Sequence, residues 1–459
     1  MKSDLTRTLE DEIERLEEKA RIVLEAKRAN RPRRPLLVEF CGSPKAGKTS
    51  AISSLEIFLK RNGFTVEVLT ERASVCPISD KKGWTFNVWT GCSAVAQILE
   101  KIDAPERGSS DIVICDRGIF DALIWFDWLS KQRRLDAPTK AALEGFFKIS
   151  LFRASLDLVL AFKAEPKTSI EREYAHLLTR KKGTIMNEAT LDSYIASIDA
   201  TIASQGDRFR NIISMDTSTL DQEEVGMTVT ESVLNAMSEA LEERVASLDA
   251  DTLEELVKGD QVFPFDKLAA ASLPIGYDVR SDVEQDATRV QPIPVVVITD
   301  SERKRVVAFL KSDRAVKKGS AESGRTLLYA GGHVRAEDEI LSESNSLAGI
   351  LQAGLNREMR EELGSIFPIL DDEPFCIWER DVNQNRSRHM AICYIVQQEN
   401  LEGLKLSLDS YEFLKPGARN QNGRVIEAGS LKDTRLEFWS QTILAQVFSV
   451  GTQGSLFDQ

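Results

Sequence analysis

The chain has 459 residues, 42% of them hydrophobic, and 59 Lys and Arg against 72 Asp and Glu give a net charge of −13. At about 150 residues per domain this is text for two or three cores, which excludes a disordered chain, a collagen and a small disulfide scaffold. So acidic a chain is not expected to coat nucleic acid, because polyanion binding needs a surplus of cations.

The six cysteines (41, 76, 92, 115, 376 and 393) make no CxxC pair, so no zinc-knuckle spacing is present and buried reduced thiols are expected. The first residues run into charged text rather than an apolar signal core. No run of about 18 apolar residues predicts a membrane span. A cytoplasmic protein is the expectation.

Residues 4–30 predict a charged helix, with Leu5, Leu9, Ile13, Leu16, Ala20, Ile22, Val23 and Leu24 as an imperfect stripe at three-to-four spacing. A coiled-coil arm wants cleaner heptads, so packing on its own domain is expected, and a homo-oligomer stays open. Arg31–Pro35 breaks the helix as a basic linker, solvated or touching phosphate. Strands are expected at Leu36–Phe40, Thr65–Leu69, Asp111–Cys115, Leu156–Phe162 and Asn211–Met215, with helices between, the first over Thr49–Asn62. That alternation predicts a parallel sheet covered on both faces, ending near residue 245 after a helix from Glu223. Residues 246–292 read as a connector. A second, α+β unit spans 293–450, with strands at Pro294–Ile298, Val306–Lys311, Thr326–Tyr329 and Ala391–Gln397 around a helix at Leu347–Leu363. Residues 451–459 read as a tail.

Gly42-Ser43-Pro44-Lys45-Ala46-Gly47-Lys48-Thr49, followed by Ser50, fits GxxxxGK[ST] between a strand and a helix. Glycines let backbone N–H groups curl around anionic oxygens, and the helix adds its positive end. Lys48 can reach the β- and γ-phosphates of ATP or another NTP, and the Thr49 hydroxyl can ligate Mg²⁺. Downstream, Asp111–Cys115 ends in Asp116-Arg117. Asp116 then lies at the ligand edge of the sheet, able to hold the metal's water shell or take a substrate proton, and Arg117 can hold a phosphate.

This Asp-Arg ending, rather than Asp-Glu, resembles the thymidylate kinase and deoxynucleoside kinase group, over residues 36–240. The resemblance implies a P-loop NTPase fold and a nucleotide-kinase activity. Leu69-Thr70-Glu71-Arg72 resembles the segment whose arginine grips the acceptor, which assigns that role to Arg72, although the Glu-Arg order is reversed. Pro166…Arg172 and Met186–Leu191 resemble the lid, making Arg172, Arg180, Lys181 and Lys182 its cations. Trp84–Trp89 falls where the acceptor pocket is lined, so Trp89 either stacks on a base or packs in the core. Kinase action and NTP hydrolysis as a switch both remain open.

On the helix Leu347–Leu363, Glu358, Glu361 and Glu362 project from one face and suit a hard cation, Mg²⁺ or Mn²⁺, or a salt-bridged surface with Arg357 and Arg360. With the preceding Gly331-Gly332-His333-Val334, this resembles the Nudix hydrolase signature, Gly-x5-Glu-x7-Arg-Glu-U-x-Glu-Glu-x-Gly-U, where U is apolar; Arg357–Ile366 carries its second half. The Gly-Gly-His start and Leu436–Ser440 resemble a phosphoesterase-like subgroup, over residues 293–448. Counting back from Arg357 puts Gly349 where the first Glu belongs and Glu343 where Gly belongs. Glu337, Asp338 and Glu339 are the candidate replacements. The resemblance implies hydrolysis of a nucleoside diphosphate derivative by metal-activated water, with Gly332, His333 and His389 as possible substrate contacts. The expectation is therefore a P-loop kinase-like unit fused to a Nudix-like unit, or, in a second reading, an NTP sensor controlling a Nudix effector in stress or phage defence.

Overall fold

The computed structural model describes residues 2–30, 34–102, 110–177, 185–311, 325–342, 344, 346–369, 373–380, 386–408, 413, 424–431 and 436–448. Two compact units divide the chain, Met1–Glu242 and Glu243–Gln459.

The first unit is α/β. Its strands are β1 (Leu36–Gly42), β2 (Val66–Leu69), β3 (Ile112–Asp116), β4 (Leu158–Lys163) and β5 (Ile212–Asp216). They pair in parallel in the order β2-β3-β1-β4-β5. Helices cover both faces, which is why β1 is buried along its whole length. Side chains alternate across the strand. Val38 and Phe40 enter the core that Leu55 and Leu59 share with Val229 and Val233, whereas Leu37 and Cys41 enter the one holding Phe120, Leu123 and Ile198.

The helices that position the candidate site are α1 (Lys2–Asn30), α2 (Lys48–Arg61), α3 (Trp84–Ile102) and α4 (Ile119–Lys131). Leu16, Ala20 and Val23 of α1 are buried in the same core as the helix Gln222–Leu241, and Arg15 bonds Glu231 at 2.5 Å. The first helix thus packs on its own unit. Of the basic linker, Arg34 and Pro35 are described, and the Arg34 side chain is half-buried. It sits where β1 starts, with both guanidinium nitrogens on Asp157 at 2.6 and 2.7 Å. Arg210 joins Asp157 at 2.7 Å, and Asp157 also accepts the Leu37 N–H.

The second unit is α+β. Its strands are β6 (Arg244–Asp249), β7 (Val262–Pro264), β8 (Gly276–Val279), β9 (Arg289–Thr299), β10 (Arg305–Leu310), β11 (Thr326–Leu327), β12 (Ala330–Gly331), β13 (Phe375–Arg380), β14 (Arg386–Gln397) and β15 (Arg424–Glu427). The sheet is mixed, with β9 and β14 parallel in the middle and antiparallel neighbours around them. The helix Leu347–Leu363 buries Ile350, Leu351, Leu355, Met359 and Leu363 in the core. Residues 246–292, read as a connector, instead supply three strands and core residues Leu248, Leu253, Phe263 and Leu268. Among the described residues no helix is long and apolar enough to cross a membrane.

Candidate functional sites

In the first unit, β1 ends in Gly42 at φ +116, and a Cβ there would lie 2.0 Å from the Phe162 carbonyl oxygen. Only glycine lets the chain turn off the sheet so close to β4. The loop Gly42–Thr49 then curls back, with the Ser43 N–H donating to Phe162 O at 2.9 Å. Lys48 opens α2 and is buried. Its Nζ donates to the carbonyls of Gly42 (3.0 Å) and Ser43 (2.7 Å). Burial, with Arg117 nearby, pushes its pKa down to about 7. A buried ammonium resting on neutral carbonyls favours an anion. The Ser43 hydroxyl is buried without a hydrogen-bond partner, while Thr49 and Ser50 are exposed at the helix start.

Asp116 and Arg117 stand where β3 ends. Burial raises the Asp116 pKa against the pull of Arg117 and Lys48. Arg117, at φ +65, donates to Asp121 at 2.9 and 3.1 Å and lies 3.2 Å from Glu71. Asp121 also accepts the Gly42 N–H at 3.3 Å and the Trp125 indole at 3.1 Å. Asp121 is therefore the hinge between glycine loop and arginine, and the sequence reading passed over it. Its signal was the Arg117–Asp121 spacing on a helix start. Glu39, also overlooked, is fully buried and accepts the N–H groups of Gly118 (3.0 Å), Phe120 (3.0 Å) and Asp121 (2.8 Å). It holds the turn that carries Arg117.

Beside Asp121 opens a cleft lined by Glu71, Arg72, Phe86, Asn87, Gln97 and Trp125 among others. Arg72 is placed there, but Trp89 does not line it. The segment is helical, and the face turned to the cleft carries Phe86, Asn87, Thr90 and Gly91. Arg172 is also placed differently from a lid cation. It donates to the Thr217 hydroxyl (3.0 Å) and carbonyl (2.7 Å), bracing the loop, since Thr217 donates to Ala46 O at 2.9 Å. Arg180, Lys181 and Lys182 lie outside the described residues.

Thr49 and Asp116 fit a magnesium ion chemically. Among the described residues Asp116 forms no side-chain hydrogen bond, and it sits as a desolvated carboxylate beside the loop, an oxygen donor of the type Mg²⁺ takes.

In the second unit, Gly332 abuts the helix Leu347–Leu363 so closely that a Cβ would lie 2.7 Å from the Glu358 carboxyl carbon. The three glutamates are already matched to cations. Arg357 lies 2.5 Å from Glu358 and 3.5 Å from Glu361, Arg335 lies 3.8 Å from Glu361, and Lys311 lies 3.7 Å from Glu362. Glu362 also accepts the Gly331 N–H at 3.0 Å. Among the described residues no three acidic, His or Cys side chains form a metal-holding group. Glu358 and Glu361 share Arg357, while Glu362 faces Lys311.

Of the candidate replacements for the first acid, Asp338 is the one in contact with Arg357. It is fully buried and takes Arg357 in a two-pronged pair, Oδ1 and Oδ2 each at 2.8 Å, while Arg357 also donates to His333 O at 2.8 Å. Gly332 to Asp338 keeps the signature's five-residue gap. The extra length falls between Asp338 and Arg357, eighteen residues where the signature has seven, and the closing apolar position is Ser365. The His333 ring lies 5.6 Å from that of His389.

No family model matches the chain, and no curated protein does. Among solved structures, deoxyadenosine kinase from M. mycoides, with products dCMP and a flexible dCDP bound, is 16% identical, covering 44% of this chain and 100% of its own, at a TM-score of 0.34. The same enzyme with dATP bound is 15% identical over the same shares, at 0.33. Tm1382, a candidate Nudix hydrolase, is 19% identical, covering 44% of this chain and 97% of its own, at 0.31. Likeness that remote says nothing of what this chain acts on.

Proposed function

We propose that the first unit transfers a phosphoryl group from ATP to the hydroxyl of a nucleoside-type acceptor in the cleft beside Asp121. The observation that supports this is the buried Lys48 amine at a glycine loop that shares Asp121 with the cleft. A hydroxyl acceptor is read from the carboxylates Asp121 and Glu71, which face the cleft and already match Arg117; Arg72 and Lys81 also line it, so the nucleoside monophosphates in the test below decide between the two acceptors.

In this reading the loop N–H groups and Lys48 bind the triphosphate, and Phe86 and Trp125 flank the base. A carboxylate at the cleft, Asp116 or Asp121, takes the acceptor proton as its oxygen bonds to the γ-phosphorus and the β–γ bridge breaks, releasing ADP. Thr49 and Asp116 would hold Mg²⁺, which supplies charge shielding on the phosphates. The second unit is a Nudix-like hydrolase of a nucleoside diphosphate derivative. Its support is the run Arg357–Gly364 with Asp338 standing for the first acid. A second reading, an NTP sensor controlling a ligand-binding effector, is favoured by one observation: the three glutamates already have cation partners.

The test is a panel of nucleosides, nucleoside monophosphates and nucleoside diphosphate derivatives given to the full chain with ATP and Mg²⁺, products being weighed by mass. ADP formed only with an acceptor, and lost about 10²–10³-fold in Lys48→Ala, supports the kinase. ADP formed without an acceptor supports the sensor. No product of either type sinks both enzymatic readings.

A further inference from the structure

Buried polar atoms without a hydrogen-bond partner are uncommon in folded proteins, and most of those in the second unit, Arg380 Nε and the Tyr277 hydroxyl apart, gather in one place. The Ser247 hydroxyl, both amide atoms of Gln291, His333 Nε2 and Arg335 Nε are all buried and unpartnered. Gln291 and Ser247 are each 0% exposed.

The strand registers make them neighbours. Ser247 pairs with Gly276, while Tyr277 pairs with Ala246 and so lies on the other face. Leu248 pairs with Val290, so the next rung sets Ser247 beside Gln291. Gln291 pairs across β9 and β14 with His389, whose ring is 5.6 Å from that of His333. Val245 bridges Arg335, and the Ala246 N–H donates to Val334 O at 2.8 Å. The patch runs from the middle of the sheet to Gly332 and the Glu358 carboxylate behind it.

The donor and acceptor chemistry is specific. A primary amide offers one donor and one acceptor side by side, matching the adjacent acceptor and donor on a nucleobase edge. Burial, with Arg280 and His389 nearby, keeps the His333 imidazole neutral by pushing its pKa well down. Arg335 lies 3.7 Å from Glu243 and 3.8 Å from Glu361, contacts loose enough to be traded for a phosphate oxygen.

We propose that Ser247, Gln291, His333 and Arg335 form a nucleotide subsite in which the amide of Gln291 reads the base edge and Arg335 takes the phosphate beside Glu358. This rests on the reading of the second unit as one that takes a nucleotide derivative.

The chain has three histidines, His176 in the first unit and His333 and His389 in the second, so imidazole resonances report this patch directly. The full chain, labelled in its histidines, is titrated with AMP, GMP, UMP and CMP. Saturable shifts of the His333 and His389 signals with at least one of them are expected. Gln291→Leu should weaken that response about tenfold or more, and Gln291→Glu should change which base is preferred. If Gln291→Leu misfolds, Ser247→Ala and Gln291→Glu carry the comparison.

Shifts confined to His176, or none at all, overturn the subsite and leave ordered water as what satisfies these groups. Unchanged affinity in a folded Gln291→Leu overturns it as well. Hydrolysis of a nucleoside diphosphate derivative without such shifts rejects the subsite alone. Shifts without hydrolysis retain the subsite and reject the hydrolase.

Discussion

The glycine loop of the first unit and the acidic helix of the second handle charge in opposite ways. At the loop, Lys48 is buried against two carbonyls at 2.7 and 3.0 Å, so the missing counter-charge is left for a ligand to bring. At the helix, Glu358, Glu361 and Glu362 each have an Arg or Lys nitrogen within 3.8 Å, and Asp338 is closed by Arg357. The first region is poised and strained electrostatically, whereas the second is satisfied as it stands. A ligand there must displace a cation or work beside the pairs.

The contrast breaks most visibly at Arg357. Arg357→Leu strands Asp338 and Glu358 in a buried place, and removing one partner of a buried pair costs about 3–5 kcal/mol. A denaturant melt should show that loss in the second unit's transition and not in the first. Loss of less than about 1 kcal/mol would mean that the acids are not held by the arginine.

Glu39 sharpens the other side. Burial raises its pKa to about 7 from 4.5, against the pull of three N–H donors and with Asp121 close by. The folded state then holds a proton that the unfolded chain releases above pH 4.5. Stability from this group is full below about pH 4.5 and is lost as pH rises through about 7, up to about 3 kcal/mol in all. Glu39→Gln should flatten that slope in melts run from pH 5 to 8. An unchanged slope would place the titration elsewhere.

The smallest effect is a proton count. With its pKa lowered to about 7, Lys48 is mostly neutral above that pH, and a bound triphosphate should recharge it. Binding of ATP at pH 7.5 should therefore take up about half a proton or more. Calorimetry in buffers of different ionisation heat measures this, and Lys48→Ala should abolish it. Equal enthalpies in all buffers would mean that the amine is charged before the nucleotide arrives.

What the sequence revealed follows from how local each feature is. The glycine loop is one contiguous segment with fixed spacing, and the helix Leu347–Leu363 carries a full apolar stripe, so both were legible. Asp121 left one local trace, its four-residue spacing from Arg117, but its bond to the Gly42 N–H and the hold of Glu39 on the Gly118–Asp121 turn cross strand and helix boundaries, and no spacing encodes those. Trp89 was left open between stacking and packing because the phase of its helix was not read, and that phase turns Phe86 and Asn87 to the cleft. Asp338 was one of three candidates at the sequence level, and its pairing with Arg357 across nineteen positions has no local signal that would have singled it out. The strands in 246–292 are short, from three to six residues, and carry too little alternation to show a period. Gln291 fell in the stretch read as a connector, because the strand was expected to start only at Pro294 and instead starts at Arg289.

The docking of α1 on the helix Gln222–Leu241 has a consequence during synthesis. Leu16, Ala20 and Val23 leave the ribosome before the surface that covers them, which emerges about two hundred residues later, at the end of the same unit. At typical elongation of about 5–20 residues per second, that is a wait of about 10–40 seconds with an apolar stripe in water. The nascent chain is thus open to chaperones or to wrong partners until its first unit is nearly complete.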